Sequence, residues 1–380
     1  MNVYFDNAAT TKVREESIDA MIRVMREDYG NPSSVHFAGR YAAAVLDGAR
    51  GKVANALGAD PGEVTFTSGG TESDNFAILG AAEAAAHRGK HIITSLIEHD
   101  AVLNTVKKLE GMGWDATYLA PDRAGRIPFE SFAGALRGDT VLASIMLVNN
   151  ETGAVNPINE YSREVKRRRL NTLLHTDAVQ GFCKIPFTVS STGADLVTVS
   201  AHKIHGPKGV GALYIRKGVK LRPMLCGGGQ EHGMRAGTEA LPAIAGFSEA
   251  ARNAYSELDG MYVTIRGLRD HLVSLIKNDL PEAVLIGEGD SPYILSFSLP
   301  GLKSEVLMNF LGGEGICVSN SAACKKGARS RVLEAMNYSN DIIDGALRVS
   351  LSRYNVPEEA DYFVNSLVKA TKTIVKAVRK

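Results

Sequence analysis

The chain has 380 residues, and its 43 Lys and Arg against 42 Asp and Glu leave a formal net charge of +1. Hydrophobic residues make up 44% and charged residues 22%, which is the usual mix of a soluble globular protein. The balanced charge argues against general attraction to nucleic acid or acidic membranes, and the longest apolar stretch, at 141–148, is far too short to span a bilayer.

The N-terminus and the cysteines indicate the compartment. The first residues show no basic segment followed by an apolar run, so no signal peptide is predicted. Four cysteines are too few for a disulfide scaffold, and no CxxC pair suggests a zinc site. We therefore expect a cytoplasmic protein with reduced thiols and no bound metal.

Over the first two-thirds of the chain, short apolar runs alternate with longer helix-compatible stretches. Strands are predicted at 64–67, 91–95, 141–146, 172–175 and 196–199, and helices at 73–87 and 101–111. Strands that alternate with helices predict an α/β fold, in which a mostly parallel sheet is covered by helices on both faces.

The pattern changes after about residue 255. A long polar helix is predicted at 261–278, strands at 293–298, 316–319 and 347–351, and a charged amphipathic helix at the C-terminus. Elements in this order predict a smaller α+β domain that packs on the first.

Polar clusters follow five of the predicted strands. They lie at 68–72, 98–100, 149–151, 176–177 and 200–203. Ligands collect beyond the carboxyl ends of the strands in parallel sheets. We therefore expect one active site that is assembled from these loops at a single edge of the sheet.

Residues 68–72, Ser-Gly-Gly-Thr-Glu, lead from a strand into a helix. Glycines let the backbone approach a ligand, and the free amides at a helix start favour a phosphate. A plain strand-to-helix turn is nevertheless the commoner meaning of such a cluster taken alone. The segment is neither a Walker loop nor a GxGxxG dinucleotide fingerprint.

Three single residues suggest cofactor chemistry. Lys203, at the end of a strand, is suited to a Schiff base with an aldehyde cofactor. Asp177 could keep a pyridinium nitrogen protonated, and His99 could stack on such a ring and move protons. Each also has an ordinary interpretation: a surface lysine, a structural ion pair and a polar contact.

Eight longer strings resemble the cysteine desulfurases, which are pyridoxal-phosphate enzymes of the class V aminotransferase family. The strings are YFDNAATT at 4–11, GNPSSVH at 30–36, FTSGGTES at 66–73, VNNETG at 148–153, DAVQ at 177–180, SAHK at 200–203, GGGQE at 227–231 and RAGTE at 235–239. The resemblance runs from residue 4 to about residue 355.

The resemblance implies the α/β fold of fold-type I pyridoxal-phosphate transferases. Its large domain has a mostly parallel seven-stranded sheet, and its smaller C-terminal domain is α+β. For this chain that implies an N-terminal segment, 1–15, that joins the small domain, a large cofactor domain at 16–256, and a small domain at 257–380 that carries Cys324.

The resemblance also implies a role for each matching residue. Lys203 would bind the aldehyde of pyridoxal phosphate, Asp177 would pair with the ring nitrogen, and His99 would stack on the ring. The other cofactor contacts would come from Asn150 and Gln180 near the ring oxygen and from Gly70, Thr71, Ser200 and His202 at the phosphate.

Three further matches concern the substrate and the assembly. Asn31 and Arg348 would bind the carboxylate of L-cysteine, for which a guanidinium fork is well suited. Thr238 would reach the phosphate of the neighbouring subunit, which implies a homodimer with shared active sites.

Cys324 distinguishes a desulfurase from an aminotransferase or a lyase. It lies in a run of small and polar residues at 319–327, which predicts a loop, and Lys325 and Lys326 favour its thiolate. Cys324 matches the family's nucleophile, which implies a sulfurtransferase: a persulfide forms on Cys324, L-alanine leaves, and the sulfur passes to an acceptor protein. We expect Cys183 and Cys317, in apolar surroundings, to be inert packing.

The region around Cys324 departs from the family pattern. Ser321-Ala322 stands where Gly-Ser is common, the stretch before 332–333 is slightly short, and Arg331 replaces an aromatic residue or a histidine.

Several alternatives remain open at this stage. The chain could be a selenocysteine lyase, another class V enzyme or a non-catalytic sulfur-carrier partner. The acceptor could be an iron–sulfur scaffold, a tRNA thiolation enzyme or a DNA-modification system. The basic run at 166–169 is predicted to be a solvated helix end, so direct nucleic-acid binding is not expected.

Overall fold

The computed structural model describes residues 1–320 and 329–378. The strands are β1 (Val3–Tyr4), β2 (Val64–Thr67), β3 (His91–Ser95), β4 (Asp115–Leu119), β5 (Thr140–Ser144), β6 (Leu173–Asp177), β7 (Leu196–Ser200), β8 (Gly211–Ile215), β9 (Val284–Ile286), β10 (Ile294–Ser298), β11 (Ile316–Cys317), β12 (Ser319–Asn320) and β13 (Ala346–Ser350).

The α-helices follow the same chain order. They are α1 (Glu15–Arg26), α2 (Phe37–Leu57), α3 (Gly70–Ala85), α4 (Asp100–Glu110), α5 (Phe129–Ala135), α6 (Ile158–Arg167), α7 (Val189–Thr192), α8 (Leu241–Ser256), α9 (Leu258–Asp279), α10 (Ser304–Gly313), α11 (Arg331–Ala335), α12 (Asn340–Asp344) and α13 (Pro357–Val378). Among these described helices, none is long and apolar enough to cross a membrane.

Seven strands form the main sheet in the order β2–β8–β7–β6–β5–β3–β4. The strands from β7 to β4 are mutually parallel, whereas β8 runs antiparallel to both β7 and β2. Because the two reversals cancel, β2 runs in the same direction as β7, and both end at the same edge of the sheet. The predicted mostly parallel sheet is therefore confirmed.

Side-chain alternation explains how this sheet holds helices on both faces. Ile92 and Leu142 pack in one apolar cluster with α3 and α4, whereas their chain neighbours Ile93 and Ala143 pack in the other cluster with α2 and α8. Successive residues of a strand point to opposite faces, so a strand that is covered on both sides must be apolar throughout. This is why the central strands are recognisable as short continuous apolar runs.

The strand boundaries show where sequence patterns are informative. The predictions at 64–67 and 91–95 match β2 and β3, while β5 and β6 are shifted by one or two residues from their predicted runs. β4 and β8 were not predicted, because β4 is a polar edge strand and β8 follows a turn rich in glycine. The basic run near 167 is a helix end, and Arg167 and Arg168 both bind Glu164.

A second group of strands forms a separate antiparallel sheet in the order β12–β13–β10–β9. Its apolar core lies against α9, α10 and α13 and also contains Val3 and Phe5 from the N-terminus. The ring of Phe363 meets Phe5 edge-on, with centroids 5.6 Å apart, and Phe297 at 6.4 Å. The domain boundaries at 15/16 and 256/257 remain a prediction.

The predicted strand at 316–319 is two short strands. Ile316 and Cys317 pair with β1, whereas Ser319 and Asn320 pair with β13. Ile316 is buried, so Cys317 points the opposite way and is exposed. The prediction that Cys317 is inert packing is therefore wrong. Cys183 is buried as expected, but in a turn with a φ of 53°.

Truncating Phe363 tests the importance of the second core. The Phe363→Ala variant leaves a cavity against Phe5 and Phe297, and we expect it to lose about 3–5 kcal/mol of unfolding free energy. Urea denaturation followed by circular dichroism measures the loss. Val263→Ala on α9, where the side chain is 70% exposed, is the control and should stay within about 0.5 kcal/mol of the wild type. Equal stability of the two variants would contradict the packing described here.

Candidate active site

A cavity of about 330 Å³ opens at the carboxyl edge of the main sheet. It collects the polar clusters that follow β2, β3, β5, β6 and β7, together with Arg348 of β13 and two residues of the N-terminal segment. The lining residues are Ala8, Ala9, Gly70, Thr71, Asp74, His99, Met146, Asn150, Asp177, Val179, Gln180, Ser200, His202, Lys203 and Arg348.

The structure therefore brings ten of the thirteen predicted site residues together. Their individual roles remain predictions. Among the residues that the structure describes, no group of three or more His, Cys, Asp or Glu side chains could hold a metal ion.

One end of the cavity is built around the start of α3. Gly69, directly before the helix, has a φ of 150° and a ψ of −176°, a conformation that is essentially restricted to glycine. A Cβ on Gly211 of β8 would lie 2.8 Å from the Cα of Gly69, so both positions must be glycine for the strand to pass this turn. The turn directs the first amides of α3, at Gly70 and Thr71, into the cavity, where an anion would meet several N–H donors.

Ser200, the last residue of β7, and His202, two residues further on, also line the cavity. Burial, together with the positive charges of Lys203 and Lys184, lowers the pKa of His202 to about 4. The imidazole is thus neutral at pH 7. Hydroxyls, a neutral imidazole and helix amides form a donor set that fits a phosphate group.

Asp177, the last residue of β6, lies beneath the centre of the cavity. It is 6% exposed, and its Oδ1 accepts a hydrogen bond of 2.9 Å from the Val179 amide. Burial raises the pKa of Asp177, while His99 and Lys203 act in the opposite direction. A buried carboxylate of this kind fits the protonated nitrogen of a pyridine ring.

Asp74 on α3 is a second carboxyl group beside Asp177, and the sequence analysis did not single it out. Burial raises the pKa of Asp74 well above its usual value, and the charge of Asp177 raises it further. Its Oδ1 lies 3.7 Å from His175 Nε2 and has no hydrogen-bond partner among the described residues. The surroundings favour the negative charge of this pair on Asp177, because Asp177 accepts an amide hydrogen bond and its charge is stabilised by His99 and Lys203.

His99 caps the N-terminus of α4 and lines the cavity. Its Nδ1 accepts a hydrogen bond of 3.1 Å from the Ala101 amide, so the ring proton of the neutral form is on Nε2. This contact fixes the orientation of the imidazole relative to the helix. The geometry is compatible with a ring that lies against a planar cofactor.

Lys203 is held by the N-terminal segment. Its Nζ donates to the carbonyl oxygens of Ala8 and Ala9, at 2.7 and 2.6 Å. Gln180 Nε2 donates to the same Ala8 carbonyl at 2.9 Å, and Lys184 Nζ donates to Gln180 Oε1 at 3.0 Å. Two lysines are thus connected through one amide side chain and one backbone carbonyl.

Lys184 is a buried residue that the sequence analysis missed. It is 7% exposed, and burial, together with the positive charges of Lys203 and Arg348, lowers its pKa to about 7. The only signal in the sequence is its position among apolar residues between Phe182 and Ile185.

Arg348 approaches the cavity from the second sheet. The residue is 2% exposed, and its guanidinium donates to the Asn150 carbonyl and to Asp6 Oδ1, both at 2.9 Å. Its Nε has no partner among the described residues. Arg348 therefore links the loop after β5 to the N-terminal segment and presents a buried cation to a ligand.

Asn31, Thr238 and Cys324 are the predicted site residues that do not line the described cavity. Asn31 and Thr238 are exposed, and Asn31 Oδ1 accepts from the Ser33 amide at 2.9 Å. Cys324 lies outside the described residues. The described residues on either side of it lie beside the cavity: Asn320 pairs with Leu347, the neighbour of Arg348, and Ser330 Oγ donates to Glu151, the neighbour of Asn150.

Over almost its whole length, the chain is similar to known proteins of one family. The family model described as Aminotransferase class-V matches residues 3–363. The cysteine desulfurase IscS of Methanosarcina thermophila is 44% identical, over 94% of this chain and 89% of the relative. A solved NifS-like protein is 42% identical, with a TM-score of 0.93 over 98% of this chain and 100% of that chain. A structure of SspA in complex with cysteine is 33% identical, with a TM-score of 0.81 over 93% of this chain and 100% of that chain.

The burial of Lys184 predicts a pH-dependent stability. In the unfolded chain a lysine keeps its proton up to a pH of about 10.4. Because the folded protein releases this proton near pH 7, the unfolded state binds more protons between pH 7 and 10, and rising pH favours folding. Relative to Lys184→Met in the same cofactor state, the wild type should gain up to about 1.4 kcal/mol per pH unit above pH 7.

Urea unfolding at pH 7, 8 and 9 measures this difference. Lys108→Met, which removes an exposed lysine, is the matched control. Its unfolding free energy should differ from that of the wild type by the same amount at each pH. A constant difference between the wild type and Lys184→Met would show that Lys184 keeps its proton in the folded protein.

Proposed function

The chain belongs to the class V aminotransferase family, and from this premise we propose that it is a cysteine desulfurase that takes sulfur from L-cysteine. Enzymes of this family depend on pyridoxal phosphate. One observation carries the proposal: the helix amides at the start of α3, the buried carboxylate of Asp177 and the amine of Lys203 all line one cavity.

The described residues fit pyridoxal phosphate. The start of α3, with Gly70, Thr71, Ser200 and His202, would hold the phosphate. Asp177 would bind the ring nitrogen, His99 would lie against the ring, Asn150 and Gln180 would lie near the ring oxygen, and Lys203 would hold the aldehyde carbon. When bound, the cofactor supplies an electron sink for a carbanion at the α-carbon of an amino acid.

We propose the following roles for the residues that would bind the substrate and transfer its protons. Arg348, together with Asn31, would bind the carboxylate of L-cysteine and orient its α-carbon. Lys203 Nζ would accept the α-proton and return a proton to the product. The carbonyls of Ala8 and Ala9 suit this exchange, because they can stabilise the protonated amine at its resting position.

Cys324 would be the sulfur acceptor within the enzyme. Its thiolate attacks the sulfur of the substrate, so that an S–S bond forms while the C–S bond breaks, and the electron pair remains with the carbon fragment that leaves as L-alanine. Cys324 follows Asn320 by four residues in the sequence, and Asn320 pairs with Leu347, the neighbour of Arg348, which supports this assignment.

The reaction and its nucleophile can be tested together by mass spectrometry. After brief exposure to L-cysteine, we expect one sulfur atom added to Cys324 and L-alanine in solution. Cys324→Ser should lose at least ~99% of the alanine release, since a hydroxyl is a far weaker nucleophile towards sulfur. Cys317→Ser, which removes an exposed thiol, is the control and should keep wild-type activity.

Two results would contradict the proposal. Unchanged alanine release by Cys324→Ser would remove Cys324 from the reaction. Turnover of L-selenocysteine without turnover of L-cysteine would instead indicate a selenocysteine lyase.

We further propose that the protein is a cytoplasmic homodimer that passes its persulfide sulfur to an acceptor protein, such as an iron–sulfur scaffold or a thiolation enzyme. Thr238 and Asn31 are exposed and lie outside the cavity formed by the described residues of one chain. Three large aromatic side chains close to Asn31 in the sequence are exposed: Tyr29 by 76%, Phe37 by 66% and Tyr41 by 61%. Such side chains suit a protein interface, at which a partner's Thr238 could complete the phosphate cup.

Mixed dimers test the shared site. Lys203→Ala and Thr238→Asp should each be inactive as homodimers, because each lacks one part of every site. When the two are refolded together, the mixed dimer has one intact site, so activity should return to about a quarter of the wild-type value. Light scattering should report a dimer throughout. A mixture that stays inactive, or an active Thr238→Asp homodimer, would contradict a role for Thr238 across the interface.

A further inference from the structure

Arg331 begins α11 and is a described residue at which the sequence departs from the family pattern. All of its guanidinium nitrogens make hydrogen bonds. Nε donates to the Leu96 carbonyl at 3.2 Å, Nη2 to the Glu98 carbonyl at 2.7 Å, and Nη1 to Asp100 Oδ1 at 2.8 Å. These three acceptors belong to one short segment that connects β3 to α4.

His99 lies in the middle of this segment. The Glu98 carbonyl is part of the peptide that precedes His99, and Asp100 follows it as the first residue of α4. Arg331 thus donates hydrogen bonds to the Glu98 carbonyl before His99 and to the Asp100 carboxylate after it, while the Ala101 amide donates to Nδ1 of the His99 ring. The position of the imidazole in the cavity is set by these contacts together.

The residue before Arg331 makes a second contact with the rim of the cavity. Ser330 Oγ donates to Glu151, which follows Asn150, and Ser330 also caps α11 by accepting from the Leu333 amide at 3.1 Å. Residues 330–331 therefore bind the two loops that carry His99 and Asn150. The charge of Arg331 also opposes the effect of burial on two carboxyl groups, whose pKa values are raised to about 8 for Glu98 and about 7 for Glu151.

The three acceptors in the 96–100 segment are bound by three different nitrogens of one guanidinium group. A histidine has at most two N–H groups and an aromatic ring offers none or one, so neither can bind three acceptors in this arrangement. The side chain of Arg331 is 42% exposed, and an ion pair with that exposure contributes little by itself. The two bonds to backbone carbonyls are therefore the part of the contact that a lysine cannot reproduce.

We propose that Arg331 is a positioning residue that holds His99 against the cofactor ring through its hydrogen bonds to the segment at 96–100. The inference rests on the proposed function, because it assumes that pyridoxal phosphate occupies the cavity. A histidine or an aromatic residue at this position could not make the three hydrogen bonds that Arg331 makes to the 96–100 segment.

Three variants test this role. Arg331→Gln removes the fork and the charge, and Arg331→Lys keeps the charge without the fork. Arg329→Gln is the matched control, because Arg329 also bridges to a carboxylate, Asp344, at 2.7 Å and is 44% exposed, but it contacts no residue of the 96–100 segment. Thermal unfolding of all three should first show that each variant is folded.

The main readout needs no turnover. In the pyridoxal-phosphate-loaded protein without L-cysteine, visible circular dichroism reports the orientation of the bound ring. We expect a changed cofactor band for Arg331→Gln and Arg331→Lys, and an unchanged band for Arg329→Gln. The imidazole signal of His99 in the nuclear magnetic resonance spectrum, assigned by its loss in His99→Gln, should shift in the same two variants only.

Kinetics give the second readout. Because His99 contacts the reacting ring rather than the substrate carboxylate, kcat for alanine release should fall about tenfold in both Arg331 variants while KM stays within about twofold.

Wild-type behaviour of Arg331→Lys in all readouts would overturn the proposal, since charge alone would then suffice. Equal effects of Arg329→Gln and Arg331→Gln would overturn it as well. A wild-type protein that binds the cofactor but releases no alanine would refute the proposed function, and the two spectroscopic readouts would still decide the role of Arg331.

Discussion

The N-terminal segment connects the core of the second sheet to Lys203 and the backbone at His202 in the candidate active site. Val3 and Phe5 are buried in the core of the second sheet, and a few residues later the carbonyls of Ala8 and Ala9 hold the amine of Lys203. Thr11 then binds the backbone at His202, at 3.0 Å, so the segment is fixed on both sides of the cavity. Lys203 thus depends on a strand that is anchored in the opposite core, and any movement of that core relative to the main sheet changes the partners of its amine.

The second constraint is the number of buried ionisable groups at one sheet edge. Asp74, Asp177 and Glu98 are all carboxyl groups that burial makes harder to ionise. They can share the space because they differ in their neighbours: Asp177 faces basic groups and a backbone amide, Asp74 faces another carboxylate, and Glu98 receives hydrogen bonds from Ser95 and Met146. In the proposed reaction one negative charge would be needed at the ring nitrogen of the cofactor, and the surroundings favour Asp177 as the group that carries it.

Much of the site could be predicted from the sequence because parallel sheets place strand ends together. The clusters after β2, β3, β5, β6 and β7 each follow an apolar run that is recognisable by itself, and all five contribute to the cavity. Asp74 and Lys184 could not be found in this way, because Asp74 occupies an ordinary helical pattern and Lys184 an ordinary turn. Their burial is produced by packing between distant parts of the chain. β8 was missed for a related reason, since its position depends on antiparallel pairing with two strands that lie far from each other in sequence.

The attachments on either side of Cys324 have a consequence for how such a protein diversifies. Asn320 is fixed by pairing with β13 and Ser330 by its hydrogen bond to Glu151, so the chain is anchored beside the cavity both before and after Cys324. The entropic cost of closing a loop between two fixed ends grows only slowly in general, by about 0.6 kcal/mol for each doubling of its length. A change in the number of residues between these two anchors is therefore expected to cost little stability. Under the proposed function, the length of chain that carries Cys324 could thus vary among related proteins while the residues that would hold the cofactor stay in place.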